Sequence, residues 1–259
     1  MKKFYAFYQD HEFVAQLARQ IPWWHNVEIF QKVNDCDIAI WYIQQTIENN
    51  WSRKVLVLQL KNELFERQGI KTPINNNFGE RLPAPNSDLA CDILKDPYVF
   101  DFLNLEQASP ERIVEDALVE HLGFFMIELG KGFAFVGRQY HLTVGRHDFY
   151  IDLLFYHIKL HCYVVIELKN GTFKPEYAGK LNFYLTTIDE QLKTPEDNHS
   201  IGLILCRDKD NIVVEYALRD LNKPIGVSCY ETSTDLPEEF AKILPTPEEI
   251  RQEFKKSTK

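Results

Sequence analysis

The feature that most constrains this chain is a pair of apolar, strand-like runs interrupted by charge at matching places. Phe149 to His157 and Tyr163 to Lys169 are rich in Phe, Tyr, Val and Ile, the residues that fill pleated, half-buried surfaces. The first run carries Asp152 among Ile151, Leu153 and Leu154; the second carries Glu167 and Lys169. Side chains two apart on a strand share a face, so Glu167 and Lys169 project together. A hairpin turning at Lys159-Leu160 sets Asp152 directly across from Glu167 on that same face. Opposed carboxylates repel each other, and an unpaired carboxylate among apolar residues is costly. A cation between them resolves both problems.

That pattern suits a phosphodiesterase centre. Mg²⁺ or Mn²⁺ prefers oxygen ligands, here expected from Asp152, Glu167 and the backbone carbonyl of Leu168. A metal so held activates water and neutralises charge developing on a phosphate. Lys169 is placed to orient the attacking water or to stabilise the transition state. The spacing Asp…Glu-x-Lys also recurs by chance, and charged residues at strand ends are common, so spacing alone marks a site without proving one.

The remainder of the chain organises around these strands. Asp37 to Asn49 and Trp51 to Arg67 show helical periodicity, with Ser52 as a capping residue for the second. Gly69 ends this block. Residues 70–87 carry three prolines, three consecutive asparagines and no clear period, and are expected to be a linker or an arm crossing the surface. The expected domains are therefore 1–69, helical, and 88–259, α/β. In the second, Ser109-Pro110-Glu111 reads as a helix start, running to Leu129 and stopping at Gly130. Strands over 133–144, 149–157 and 163–169 follow, then a helix over 175–191, a strand over 201–206, a helix over 212–219 opened by Asp210, and a strand over 225–230. This α-β-β-β-α-β-α-β order predicts an α/β fold with a mixed sheet flanked by helices.

Composition excludes several classes. The chain of 259 residues is 45% hydrophobic and 26% charged, ordinary globular usage. No apolar run is long enough to cross a bilayer and Met1 to Asp10 lacks a signal-peptide core, so a cytoplasmic protein without a membrane partner is expected. The five cysteines are widely spaced with no CxxC pair, which argues against a zinc knuckle. The net charge of −9 argues against a protein that coats nucleic acid over its whole surface. Residues 137–182 are locally basic, with Arg138, Arg146, Lys159, Lys169, Lys174 and Lys180. No GxxxxGK[ST] loop or GxSxG elbow occurs.

Longer strings carry a resemblance. Asp152, fourteen intervening residues, then Glu167-Leu168-Lys169 resembles the PD-(D/E)xK signature of restriction-endonuclease-like nucleases. Pro97–Leu103, Gly132–Gln139, Phe149–His157, Val165–Lys169 and Leu181–Leu185 resemble the bacterial YhcG-type family of that superfamily. The resemblance implies a restriction-endonuclease-like core, a helical N-terminal domain that helps bind DNA, and metal-dependent endonuclease activity. It also implies a Glu from the first core helix, for which Glu115 is favoured over Glu120 and Glu128. Gln139 and Lys180 are candidates to reach phosphate or a metal-bound water, and Arg138, Lys174 and Lys180 to contact nucleic acid. The expected partner is DNA; the N-terminal helices offer a surface for a homodimer or a protein partner. The rival expectation is an adaptor that binds nucleic acid or protein on a nuclease fold with little or no turnover.

Overall fold

A computed structural model describes residues 2–8, 14–68, 74–103, 105 and 109–232. The chain divides into two compact units, Met1–Pro73 and Ile74–Lys259. The Lys-rich C-terminal tail lies outside the described residues.

The first unit is helical: α1 (Lys2–Tyr8), α2 (Val14–Ala18), α3 (Trp23–Lys32), α4 (Cys36–Asn49), α5 (Arg53–Lys61) and α6 (Leu64–Arg67). Asp35 caps α4 by accepting from the amides of Asp37 and Ile38, and Ser52 caps α5 by accepting from Val55. The helix expected over 51–67 is broken at Asn62-Glu63, where Glu63 takes a left-handed φ of 47°. Ile29, Ile43 and Leu56 are fully buried in this unit's own core, with Tyr42 and Phe30 packed beside them.

The second unit begins with α7 (Phe78–Arg81) and α8 (Asn86–Asp92), followed by β1 (Tyr98–Phe100), α9 (Glu111–Glu120) and α10 (Leu122–Leu129). Then come β2 (Phe133–Val144), β3 (His147–His157), β4 (Cys162–Thr172), α11 (Pro175–Gln191), β5 (Ile201–Asp208), α12 (Asn211–Arg219) and β6 (Ile225–Thr232). Much of the segment expected to be a linker is packed structure. Phe78 is fully buried, and the Asn77 side chain accepts from the amide of Ile225 at 2.7 Å and donates to the carbonyls of Leu218 and Lys223. Asparagines that satisfy a distant strand look like loop residues in sequence, which is why the expectation failed. Pro110, not Ser109, occupies the cap position of α9, with no side-chain cap bond, and His121 separates α9 from α10. Strand β1 was not expected: it is three residues long and pairs in parallel with β6.

Among the described residues the sheet has six strands in the order β1-β6-β5-β4-β3-β2. Strands β2, β3 and β4 are antiparallel; β4, β5, β6 and β1 are parallel. One face is covered by α11 and α12, with Leu154, Val165, Leu181, Leu185, Ile204 and Val227 in a shared core. On the other, Phe125 of α10 meets Phe100 and Phe155 edge-on. A Cβ at Gly202 would stand 2.6 Å from Leu181, so glycine is what lets α11 seat closely on β5.

Candidate active site

The hairpin of β3 and β4 has the expected register. Leu153 pairs with Ile166, Leu154 with Val165 and Phe155 with Val164, so Asp152 and Glu167 are next in line where the ladder ends. There the two carboxylates are tied to opposite backbones. The Leu168 amide donates to Asp152 Oδ2 at 2.9 Å, and the Asp152 amide donates to Glu167 Oε1 at 3.5 Å.

Lys169 closes the group. Its Nζ lies 3.4 Å from Glu167 Oε2 and 3.6 Å from Asp152 Oδ2. It also donates to the Leu168 carbonyl, the expected third metal ligand, at 2.5 Å. Glu167 is 1% exposed at its side chain, and a second lysine, Lys180 of α11, donates to its Oε2 at 2.9 Å. Lys180, expected at nucleic acid or a metal-bound water, is thus placed against the buried carboxylate itself.

Glu111, at the start of α9, is a member that the sequence reasoning missed. Its Oε2 is 3.4 Å from Lys169 Nζ, and its Oε1 accepts from the Asn170 amide at 2.9 Å. The signal was present: Glu111 precedes Glu115 by four residues, one helical turn on the same face. Glu115 is itself buried and accepts from Gln139 Nε2 at 2.6 Å. Gln139 holds a left-handed φ of 45°. The β2–β3 ladder pairs Arg138 with Leu153 and Tyr140 with Ile151, so Gln139 and Asp152 face each other across the intervening step. A non-glycine residue in that conformation stores strain, and such residues gather at functional sites.

Asp152, Glu111, Glu115 and Gln139 border a cleft of about 480 Å³, while Glu167 and Lys169 stand behind its wall and are not among its lining residues. Glu111, Arg112, Glu115 and Asp116 line it from α9, and Arg138, Gln139 and Asp152 from the sheet. The structure therefore brings Glu115, Gln139 and Arg138 to Asp152. Arg138 is engaged with Asp116 at 2.5 Å. Lys174 is not among the lining residues: it is exposed and sits 3.9 Å from Glu176.

Electrostatics follow from crowding acids in a dry place. Burial, and then the charge of Asp152, raise the pKa of Glu167, with the two lysines pulling it back. Burial acts to lower the pKa of Lys169, but Glu167, Asp152 and Glu111 outweigh it and the net shift is upward. Burial likewise opposes the ammonium of Lys180, and Glu167 overrides it, so Lys180 is also raised. Glu115 is raised by burial, with the Gln139 hydrogen bond limiting the rise. Two lysines thus stay protonated beside carboxylates whose own charge is under strain.

The donor set is all oxygen, which suits a hard divalent cation. Asp152 and Glu167 supply the paired carboxylates; among the described residues no three His, Cys, Asp or Glu side chains already converge to hold a metal.

A mixed sheet with Asp on one hairpin strand, Glu-x-Lys on the next and an acidic helix alongside defines a restriction-endonuclease-like core. Residues 91–245 match the family model for the YhcG PDDEXK nuclease domain, and residues 1–67 match the DUF1016 N-terminal domain. The chain belongs to this YhcG family. It is 36% identical over 207 residues to the protein of Escherichia coli (strain K12) described as "Putative nuclease YhcG", covering 80% of this chain and 55% of that protein. The chain therefore spans about half the length of the curated relative it matches. More distant likenesses are a repair endonuclease from Pyrococcus abyssi and an EndoMS–double-stranded DNA complex, each at 16% identity. The first has a TM-score of 0.33 and covers 51% of this chain and 50% of that one. The second has a TM-score of 0.32 and covers 47% and 45%. No helix among the described residues is long and apolar enough to cross a membrane.

Proposed function

We propose that this protein is a metal-dependent endonuclease that hydrolyses phosphodiester bonds in DNA. The observation that carries this reading is the convergence of Asp152, Glu167 and Lys169 where the β3–β4 ladder ends, beside a cleft. Asp152 and Glu167 would hold Mg²⁺ or Mn²⁺, which when bound would lower the pKa of a water and neutralise charge on the scissile phosphate. The surrounding carboxylates raise the pKa of Lys169 and so favour its ammonium form. It orients the nucleophilic water and stabilises the extra negative charge of the transition state. Lys180 holds the Glu167 carboxylate in one orientation, and Gln139 does the same for Glu115. Arg112 and Arg138, on the cleft wall, meet the phosphates on either side of the scissile bond. The N-terminal helical unit serves as a docking module for DNA or a protein partner.

Thermal unfolding with and without Mn²⁺ separates this reading from that of an adaptor. A metal site raises the melting temperature of the wild type by mass action, and the rise is expected to vanish in Glu167→Ala. An Mn²⁺-induced rise that survives in Glu167→Ala, or no rise in the wild type, counts against the nuclease reading.

A further inference from the structure

The β2–β3 hairpin has two unlike faces. Leu142 and Ile151 are buried, and Phe149 packs on Phe183 of α11 with ring centroids 4.8 Å apart. On the other face Gln139, His141, Thr143, Asp148 and Tyr150 are all exposed. That open face runs straight into the cleft, whose wall includes Gln139 and Asp152.

Its centre is aromatic. Tyr150 is 50% exposed, pairs in register with His141, and lies with its ring centroid 5.2 Å from the imidazole at an interplanar angle of 33°. His141 is in turn fixed by Asp148, whose Oδ1 lies 2.7 Å from Nε2 and also accepts from Thr143 Oγ1 at 3.1 Å. The tyrosine ring is thus backed on one side and open on the other. A ring held in place by a neighbour and a hydrogen-bonded chain presents a fixed, half-exposed surface to a planar ligand.

Position and charge say which ligand. Tyr150 stands two residues from Asp152, about 7 Å along the strand. Arg138, ion-paired with Asp116 at 2.5 Å, lies at the cleft end of the open face and Arg146 at the hairpin tip, so an arginine stands at each end of a track that holds an aromatic ring and one acid, Asp148, already bonded to His141 and Thr143. Cations that follow a backbone, with rings that accept bases, are the elements of single-strand recognition. A base can lie flat on Tyr150 only after leaving its own stack, which a duplex resists.

We propose that the open face of the β2–β3 hairpin binds unpaired DNA, with a base stacked on Tyr150 and the adjoining phosphate delivered to the carboxylates at Asp152. The proposal rests on the nuclease reading for its outcome, since it makes single-stranded or unpaired segments the preferred substrate of that same site.

The test is fluorescence anisotropy on the full chain in EDTA, with a labelled oligo-dT strand and a blunt duplex as probes. Wild type, Tyr150→Ala, Tyr150→Leu and Tyr150→Phe are compared at one salt concentration. The expected result is that Tyr150→Ala and Tyr150→Leu bind the single strand about tenfold more weakly. Tyr150→Phe keeps its affinity, and duplex binding and melting temperature are unchanged in all three. Unchanged single-strand affinity in Tyr150→Ala, equal losses on both probes, or a wild type that does not bind the strand overturns the proposal. Cleavage in Mg²⁺ by the same preparations separates the two readings. Cutting without Tyr150-dependent strand binding removes the platform and leaves the nuclease. Selective, Tyr150-dependent binding without cutting does the reverse.

Discussion

Two buried carboxylates in the second unit sit in superficially similar places and behave in opposite ways. Asp189 of α11 has a side chain 5% exposed and is met by Lys223 Nζ at 2.6 Å, His199 Nδ1 at 2.9 Å and the Ser200 amide at 2.9 Å. Glu167 of β4 is 1% exposed, meets Lys180 at 2.9 Å and Lys169 at 3.4 Å, and has Asp152 for a neighbour. Burial pushes both carboxyls upward. For Asp189 the hydrogen bonds from Lys223, Ser200 and His199 outweigh burial, and its pKa falls below the usual value. For Glu167 the charge of Asp152 adds to burial, and its pKa rises. A carboxylate saturated with donors ties a helix to the following strand. One that must share its surroundings with another carboxylate stays raised even with Lys180 and Lys169 against it, the kind of perturbation that gathers at functional sites.

Asp189→Asn should have the larger effect on stability. Breaking a buried, hydrogen-bonded ion pair leaves Lys223 without its counter-charge and is expected to cost about 3 kcal/mol in urea denaturation. The pH sense follows from the lowered pKa. The Asp189 contribution is present above the ordinary carboxylate range and is lost as pH falls through the lower folded value. Wild type and variant should therefore converge in acid. A gap that stays constant down to low pH would mean that Asp189 acts through packing and not through charge.

Glu167→Gln in EDTA should do much less, within about 1 kcal/mol of wild type, and with the opposite pH sense. Because its folded pKa is raised, wild-type Glu167 is most favourable to folding below the ordinary value of 4.5. It becomes less favourable as pH rises from there through the folded value. The glutamine carries no such penalty, so the variant should gain on wild type across that interval. A loss as large as that of Asp189→Asn would show that Glu167 is a structural anchor, and the contrast between the two sites would disappear.

The sequence made the centre of this contrast unusually legible. Alternating apolar runs with acids at matched offsets defined the β3–β4 hairpin, and its register leaves Asp152 and Glu167 next in line where the ladder ends. Asp210 and Ser52 marked helix starts correctly because capping is local chemistry. What escaped depends on distant partners. Strand β1 has three residues and pairs with residues 230–232, so nothing nearby in sequence announces it. Asn76 looks like a loop residue until Gly226 comes to meet it, and Asn77 until Ile225 and Lys223 do. Glu111 looks like ordinary first-turn acidity until Lys169 arrives from β4. Lys180 is expected at phosphate, a metal-bound water or nucleic acid, and nothing local announces its partner, Glu167, which lies on a different element.

The most direct measurement is cleavage of linear and supercoiled DNA by purified protein in Mg²⁺, in Mn²⁺ and in EDTA, with Asp152→Asn and Lys169→Ala alongside. The account predicts cutting by the wild type only with metal. It predicts a fall of about 10³-fold in each variant, as expected when several kcal/mol of transition-state stabilisation are removed. Cutting that persists in EDTA or in Asp152→Asn, or no cutting of either DNA with either metal, would contradict it.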